Sequence, residues 1–216
     1  PPRQVDVPKI KNKNIIRLDP NEIAQLLDEA ESGEKLSGRQ LASHEKTKVR
    51  DVAILTLLLG TGIRVSECVG LNLEDVDFNN GAIRIIRKGG NEALIYFGDE
   101  VSQALEAYMN GSRKTAEPAA GHEEALFISL NKTRITTRSV ERLVKKYSRL
   151  VTTVKKITPH KLRSTFGTAL YQETGDIYLV ADTLGHKDVN TTKKHYAAID
   201  EHRRRMAANV VKLRES

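Results

Sequence analysis

The chain has 216 residues, a formal net charge of +7 and a hydrophobic fraction of 39%. This length and composition indicate one globular domain with a core and argue against general disorder. The longest apolar run, Val52 to Leu59, is interrupted by Thr56 and is far shorter than the ~20 residues that a membrane-spanning helix needs. The single cysteine, Cys68, excludes an internal disulfide framework and a cysteine-rich zinc module, and it favours the cytosol.

The first third of the chain predicts a linker and then helices. Asp19 and Pro20 suit the N-cap and first position of a helix. Apolar residues at helical spacing predict a second helix, which Gly60 and Gly62 would end. The predicted elements are an extended linker at 1–17, a loop at 32–44, and helices at about 19–31, 45–59 and 65–70.

The period then changes to that of strands. Two runs rich in β-branched residues, 82–87 and 93–97, are separated by Lys88, Gly89, Gly90 and Asn91, which predicts a hairpin. The other predicted elements are a helix at 99–110, a loop at 111–124, a short third strand at 126–128, and helices at about 137–151, 159–174, 177–184, 188–198 and 202–213. The expected fold class is α+β and predominantly helical, a single domain with a small antiparallel sheet.

Positive charge is concentrated between Asn131 and Arg163, where eleven Lys or Arg residues face one acid, Glu141. A charge run of this kind is often only a solvated helix face, but its length favours contacts with the phosphates of duplex DNA. The chain has no Trp and 5% aromatic residues, so base stacking is not expected to be the main binding mode. The candidate DNA-binding residues are Lys132, Arg134, Arg138, Arg142, Lys145 and Lys161.

A possible anion site lies at the start of the predicted helix at 159–174. His160 and Arg163 are three residues apart and therefore share a face, while Thr158 and Pro159 begin the helix. The free N–H groups and partial positive charge of a helix N-terminus add to this site, and phosphate is its natural ligand. Taken alone, the pair also fits a basic helix surface.

Two further positions carry charge beside glycines. Arg64 follows a glycine-bracketed turn, and Glu67 is placed to hold its guanidinium, although an ordinary surface ion pair fits as well. Lys88 lies at the predicted hairpin tip, where a solvated turn lysine is the usual interpretation, and Arg87 is its immediate rival.

The third cluster runs from Leu184-Gly185-His186 through Thr191-Thr192 to Tyr196. By itself it is compatible with a half-buried tyrosine and a loop histidine whose hydrogen bonds are satisfied. His195 is an alternative base beside Tyr196, but adjacent residues of a continuous helix point about 100° apart.

In chain order, the set Arg64, Lys88, His160-x-x-Arg163, His186 and Tyr196 resembles the tyrosine recombinases, the phage-integrase type of site-specific DNA recombinases. The resemblance covers about residues 45–200, and within the family the chain looks most similar to integrases of phages and conjugative transposons. It implies a catalytic domain at 18–200 that cuts and rejoins duplex DNA during integration or excision of a mobile element.

The resemblance also implies a role for each residue. Tyr196 would attack a backbone phosphate to form a 3′-phosphotyrosyl link, while Arg64 and Arg163 bind the non-bridging oxygens. Lys88 would protonate the leaving 5′-oxygen, His160 would assist proton transfer and His186 would donate to a phosphate oxygen. Glu67 would orient the arginines. No metal and no cofactor are expected.

The implied partners are double-stranded DNA with a specific recombination site and further copies of the chain in a tetramer, with no membrane. A helical core-binding domain is expected before the linker, and the location would be bacterial, cytoplasmic and nucleoid-associated. Residues 201–216 would form a terminal helix with an apolar face that either folds back or docks on a neighbouring subunit. A type IB topoisomerase and a non-catalytic DNA-binding relative remain the alternatives.

Overall fold

The computed structural model describes residues 15–214, which form a mostly helical domain with one small antiparallel sheet. This confirms the expected fold class. None of the helices in the described range has the length and apolarity required to cross a membrane. The elements are α1 (Pro20–Ser32), α2 (Gly38–Thr61), α3 (Val65–Val69), β1 (Val76–Asp77), β2 (Ala82–Ile86), β3 (Glu92–Tyr96), α4 (Asp99–Asn110), α5 (Thr137–Ser148), α6 (Pro159–Thr174), α7 (Ile177–Leu184), α8 (Val189–His195) and α9 (Ala197–Ala207).

The predicted hairpin is present as β2 and β3, which pair with Ile83 opposite Ile95. The prediction of a third strand at 126–128 is wrong, because the third strand is β1, with Val76 opposite Ile83. Residues 125–128 are buried, but they make only isolated bridges to Asn72 and Arg134.

The backbone groups of residues 126–128 find their hydrogen-bond partners in side chains and loop backbone, and not in a neighbouring strand. The Tyr108 hydroxyl donates to the Leu126 carbonyl (2.9 Å) and accepts from the Ile128 N–H (3.1 Å). The Leu126 N–H donates to the Leu71 carbonyl at 2.9 Å. Because buried backbone groups need only one partner of any kind, an apolar extended segment can be buried without belonging to a sheet.

Helix α2 begins at Gly38, so the predicted loop at 32–44 is too long. His44 explains the early start, since it is fully buried and its Nε2 lies 2.7 Å from the Ala30 carbonyl of α1. The predicted linker lies largely in residues 1–14, outside the described range. Its end is packed, because Ile15 contacts the core and the Leu18 N–H donates to Thr165.

The described residues form a large and a small apolar cluster. The large one is built around Ile54, Leu55 and Leu58 of α2. The small one lies among α6, α7 and α9 and includes Tyr171 and Tyr196. The candidate nucleophile therefore belongs to a separate C-terminal cluster and is not held by the main core.

A buried polar network fixes helix α5 on α2. Asp51 is 1% exposed and accepts hydrogen bonds from the Tyr147 hydroxyl (2.6 Å) and the Thr47 hydroxyl (2.9 Å), and it pairs with Arg50 (3.0 Å). Burial, followed by the nearby Asp51 carboxylate, raises the pKa of Tyr147. This network sets the direction in which the basic residues of α5 project.

Candidate active site

Helix α6 places two of the predicted residues. Thr158 caps the helix by accepting from the Lys161 N–H, and His160 follows as an exposed side chain of the first turn. Arg163, three residues later, is only 6% exposed. Its guanidinium donates to the carbonyls of Gly62 (2.6 Å) and Leu184 (2.5 Å), which end α2 and α7. Arg163 therefore joins three helices at one point.

Glu67 is a buried carboxylate among three arginines. Its Oε1 accepts the Arg64 N–H at 2.7 Å, and its Oε2 lies 3.6 Å from the Arg64 guanidinium and 4.0 Å from that of Arg87. Burial, followed by the charge of Arg64, lowers the pKa of Arg163 to about 10, and Glu67 opposes this shift. The orienting role predicted for Glu67 stays a prediction, and these contacts are the ones it would use. The cluster carries excess positive charge, which favours binding of an anion.

The hairpin contributes Arg87, and this is the residue that the sequence-based selection passed over. The Arg87 side chain is 14% exposed, while Lys88 is exposed at the turn. The period of β2 contained the signal, because Ile83 and Ile85 point inward and residue 87 continues that face. Within residues 15–214 no hydrogen bond or ion pair joins the Lys88 side chain to the cluster of Glu67 and the arginines.

His186 follows the end of α7 and is oriented by α8. Its Nδ1 shares a hydrogen bond with the hydroxyl of the fully buried Thr192 at 2.5 Å. Burial, followed by the charges of Arg163 and Arg64, lowers the pKa of His186. The imidazole is therefore neutral near pH 7, with one ring nitrogen held by Thr192 and the other free for the cleft.

Tyr196 lies where the C-terminal helices break. A continuous helix is predicted at 188–198, but α8 ends at His195 and α9 begins at Ala197. The last helix, predicted at 202–213, therefore starts at Ala197, and it ends at Ala207. The Tyr196 side chain is fully buried, and within residues 15–214 its hydroxyl finds no hydrogen-bond partner. Burial raises the pKa of Tyr196 to about 12, although Thr168 and Arg163 act in the opposite direction.

A cleft of about 380 Å³ brings four of the predicted residues together, namely His160, Arg163, His186 and Tyr196, whereas Arg64, Glu67 and Lys88 are not among the residues that line it. His195 also lines it, and the break in the helix removes the argument that His195 must point away from Tyr196. Among the described residues no group of three or more His, Cys, Asp or Glu side chains is placed to hold a metal ion. The cleft is lined by His160, Arg163, Ser164, Leu184, His186, Thr191, Lys194, His195 and Tyr196.

The candidate DNA-binding residues divide into two groups. Arg138, Arg142 and Lys145 are exposed and share one face of α5, which Arg149 extends. Lys132 is exposed 4.0 Å from Glu117, and the Lys161 amine donates to the Lys156 carbonyl at 3.0 Å.

Arg134 is committed elsewhere, which corrects its selection as a DNA contact. Its guanidinium donates to the carbonyls of Val69 (3.0 Å) and Leu71 (2.8 Å) and also bonds to Asn72. It therefore ties the segment after α3 to the loop before α5.

The fold and the cleft define a domain of the tyrosine recombinase class. Residues 16–203 match the phage integrase family, and the chain belongs to that family, which confirms the resemblance drawn from the motifs.

The chain is similar to known recombinases over part of their length. Tyrosine recombinase XerC of Syntrophus aciditrophicus (strain SB) is 39% identical over 152 residues, which are 69% of this chain and 49% of that protein. The crystal structure of XerA recombinase superposes with a TM-score of 0.71 at 27% identity, covering 88% of this chain and 65% of that one. The Tn1549 transposon integrase in complex with a circular intermediate DNA gives 0.66 at 25% identity, covering 92% and 67%. The chain thus spans about half the length of the curated relatives it matches.

Proposed function

We propose that this chain is the catalytic domain of a site-specific recombinase that cuts and rejoins duplex DNA through a 3′-phosphotyrosyl intermediate. The observation that carries the proposal is the single cleft that joins Tyr196 to His160, Arg163 and His186. Membership of the phage integrase family supports it. An excess of buried and half-buried guanidinium groups beside a phenol suits attack on a phosphodiester, whose transition state gains negative charge.

The reaction exchanges one phosphoester for another. The Tyr196 oxygen forms a bond to phosphorus and loses its proton to a base in the cleft, a role for which the His160 imidazole is placed. The bond from phosphorus to the 5′-oxygen breaks, and Lys88 supplies the proton of the new hydroxyl. Arg64 and Arg163 bind the non-bridging oxygens, and Glu67 orients the two arginines. Reversal of these steps joins a new 5′-hydroxyl without an external energy source.

The DNA would lie along a basic cleft that leads to the active site. A depression of about 760 Å³ between α3, α5 and residues 152–160 includes His160 at one end. The depression is lined by Lys145 of α5, by Arg149 directly after that helix, and by Lys155 and Lys156 of the loop, so positive charge continues from the exposed face of α5 to the cleft. Phosphate contacts along this path would position the scissile bond.

The wider role and assembly follow from the same proposal. The similarity to the Tn1549 transposon integrase favours integration and excision of a mobile element in the bacterial cytoplasm, on nucleoid DNA. The chain would act as a tetramer on its recombination site, with the segment before residue 18 leading to a core-binding domain.

The C-terminal segment would divide its contacts between two subunits. The first half of α9 is held in cis, because Asp200 bonds to the Tyr171 hydroxyl and Arg203 donates to the Tyr171 carbonyl at 3.3 Å. The apolar side chains beyond it are 60% or more exposed and would dock on a neighbouring copy. These are Met206, Val210, Val211 and Leu213.

A covalent selection tests the function without knowledge of the DNA site. The 216-residue chain is incubated with a pool of nicked duplexes of random sequence, and protein–DNA adducts that survive denaturing gel electrophoresis are sequenced. A recombinase gives adducts through Tyr196 with an enriched sequence. Adducts without sequence preference, together with relaxation of supercoiled DNA, would instead identify a type IB topoisomerase. Binding without adduct would identify a non-catalytic relative and overturn the proposal.

A further inference from the structure

Arg87 makes a direct connection between the hairpin and the end of helix α7. Its guanidinium donates to the Leu184 carbonyl at 2.8 Å and to the Thr183 carbonyl at 3.1 Å. The contact continues to Gly185, which has a φ of +73° and lies so close that a Cβ there would overlap the guanidinium. A glycine at 185 therefore allows the left-handed backbone that ends α7, and it leaves room for the Arg87 guanidinium.

The carbonyl that holds Arg87 is shared with the active site. Leu184 also accepts a hydrogen bond from Arg163 at 2.5 Å, and His186 follows two residues later. The Arg87 guanidinium lies 4.0 Å from Glu67, the carboxylate that holds Arg64. A hairpin arginine is thus connected to the same backbone atom and the same carboxylate as two of the phosphate-binding arginines.

Lys88 has little else to hold it. It is exposed at the turn, and Gly89 and Gly90 follow it with positive φ values of 86° and 80°. The turn is closed on the Arg87 side, where the Gly90 N–H donates to the Arg87 carbonyl at 3.0 Å. Any rigid connection between Lys88 and the cleft therefore passes through Arg87.

We infer that Arg87 is a positioning residue that fixes the hairpin against the end of α7 and so holds Lys88 where it can protonate the leaving oxygen. This inference rests on the proposed function. Correct placement of an acid contributes to the rate because the entropy of bringing it to the reacting atom is lost before the reaction. The fork of a guanidinium suits two neighbouring carbonyls, which a lysine ammonium cannot reproduce in the same geometry.

Sulfur substitution separates a role through Lys88 from a direct role at the phosphate. A 5′-bridging phosphorothiolate leaves without a proton, so it restores cleavage to variants that lack the acid. Arg87→Ala should slow cleavage of the normal substrate by ~10-fold or more, but by no more than the ~10²–10⁴-fold that general acid catalysis supplies. The phosphorothiolate should restore its rate, as it should for Lys88→Ala.

Three further results decide between positioning and direct action. The double variant Arg87→Ala/Lys88→Ala should be no slower than Lys88→Ala, because both changes remove one function. Arg87→Lys should resemble Arg87→Ala, whereas a purely electrostatic role would be restored by lysine. If Arg87→Ala stays slow on the phosphorothiolate, Arg87 acts on the phosphate itself and the inference fails. Rescue of Arg87→Ala but not of Lys88→Ala would make Arg87 the acid and also overturn it.

Amide hydrogen exchange tests the connection independently of activity. Arg87→Ala should speed exchange in residues 87–91 and 183–186 of the free protein, since both ends of the connection are released. Arg84→Ala is the matched control, because Arg84 lies on β2, the strand that leads to Arg87, but pairs with Asp75 on the exposed side. Unchanged exchange in Arg87→Ala would overturn the inference even in an active enzyme. If the wild type forms no adduct but Arg87→Ala still shows faster exchange, the proposed function is overturned and the connection between the hairpin and α7 is retained.

Discussion

The hydroxyl oxygen of Tyr196 lies against Gly167 of helix α6 so closely that a Cβ at position 167 would overlap it. The hydroxyl is buried there, and the whole side chain has no exposed surface. A phosphodiester cannot reach an oxygen in this position, so the proposed mechanism requires Tyr196 to leave the pocket before it attacks. The short helices α8 and α9, which meet at Tyr196, are the elements that would have to move.

Gly167→Ala should displace Tyr196 from this pocket. Because the added methyl overlaps the hydroxyl, we expect a loss of ~1–3 kcal/mol in the free energy of unfolding, as for other overpacked cores. We also expect faster nitration of Tyr196 by tetranitromethane and faster adduct formation on a nicked duplex. Ala169→Ser, on the exposed side of the same helix, is the control. Nitration at the wild-type rate would show that the tyrosine is not held by this contact.

Tyr196→Phe should abolish the covalent adduct and leave DNA affinity nearly unchanged, because only the nucleophilic oxygen is lost. The stability should not fall, and it should rise by up to ~1 kcal/mol, since a buried hydroxyl without a partner carries a desolvation cost. Denaturing gels measure the adduct and urea unfolding measures the stability. An adduct that persists in this variant would mean that another residue is the nucleophile.

Arg64→Ala and Arg163→Ala should each slow adduct formation by ~10²-fold or more, the scale expected when one transition-state charge donor is removed. Their effects on stability should differ. Arg163→Ala removes the side-chain donor to the Gly62 carbonyl and one of the two side-chain donors to the Leu184 carbonyl, which Arg87 still bonds, and should cost ~1–3 kcal/mol. Arg64→Ala should lower the free energy of unfolding by less than ~1 kcal/mol, because the Arg64 side chain is 43% exposed. Equal losses of stability would contradict the geometry described for Arg163.

DNA affinity should depend strongly on salt, because the proposed binding mode uses the exposed basic residues of α5 as phosphate contacts. Each contact contributes ~0.9 to the slope of log K against log salt, so Arg142→Ala should reduce the slope by about that amount. Arg134→Ala should leave the slope unchanged and lower the stability, since its guanidinium is bonded to the backbone. Titrations at several salt concentrations give the slope, and a wild-type slope near zero would remove the electrostatic part of the proposal.

Truncation after Arg205 should leave binding to a single DNA site intact but impair assembly of two sites and change the regulation of cleavage. The contacts of Asp200 and Arg203 with Tyr171 are retained in this variant, so the fold around Tyr196 is preserved. Mass photometry of two-site DNA measures assembly. Wild-type assembly and recombination by the truncated protein in its full-length context would exclude docking between subunits.

Local sequence signals predicted most of the helices and the hairpin well. Asp19 with Pro20, Thr158 with Pro159, and Asp176 all cap helices as their chemistry requires. Predictions failed where long-range contacts replaced local ones. His44 extends α2 by bonding to α1, and the Tyr108 hydroxyl satisfies residues 126–128 without a strand partner.

The sequence by itself determined the family and the fold class, and it nominated Arg64, Arg163, His160, His186 and Tyr196 as site residues, because motif spacing and capping are properties of neighbouring residues. Only the tertiary structure decided which contacts the side chains make. It bonded Arg87 to the carbonyls at the end of α7 and left Lys88 exposed, bonded Arg134 to backbone carbonyls and buried the Tyr196 hydroxyl on Gly167. Each of these outcomes depends on an acceptor or a close contact that lies tens of residues away in the chain, and spacing along the sequence carries no information about it.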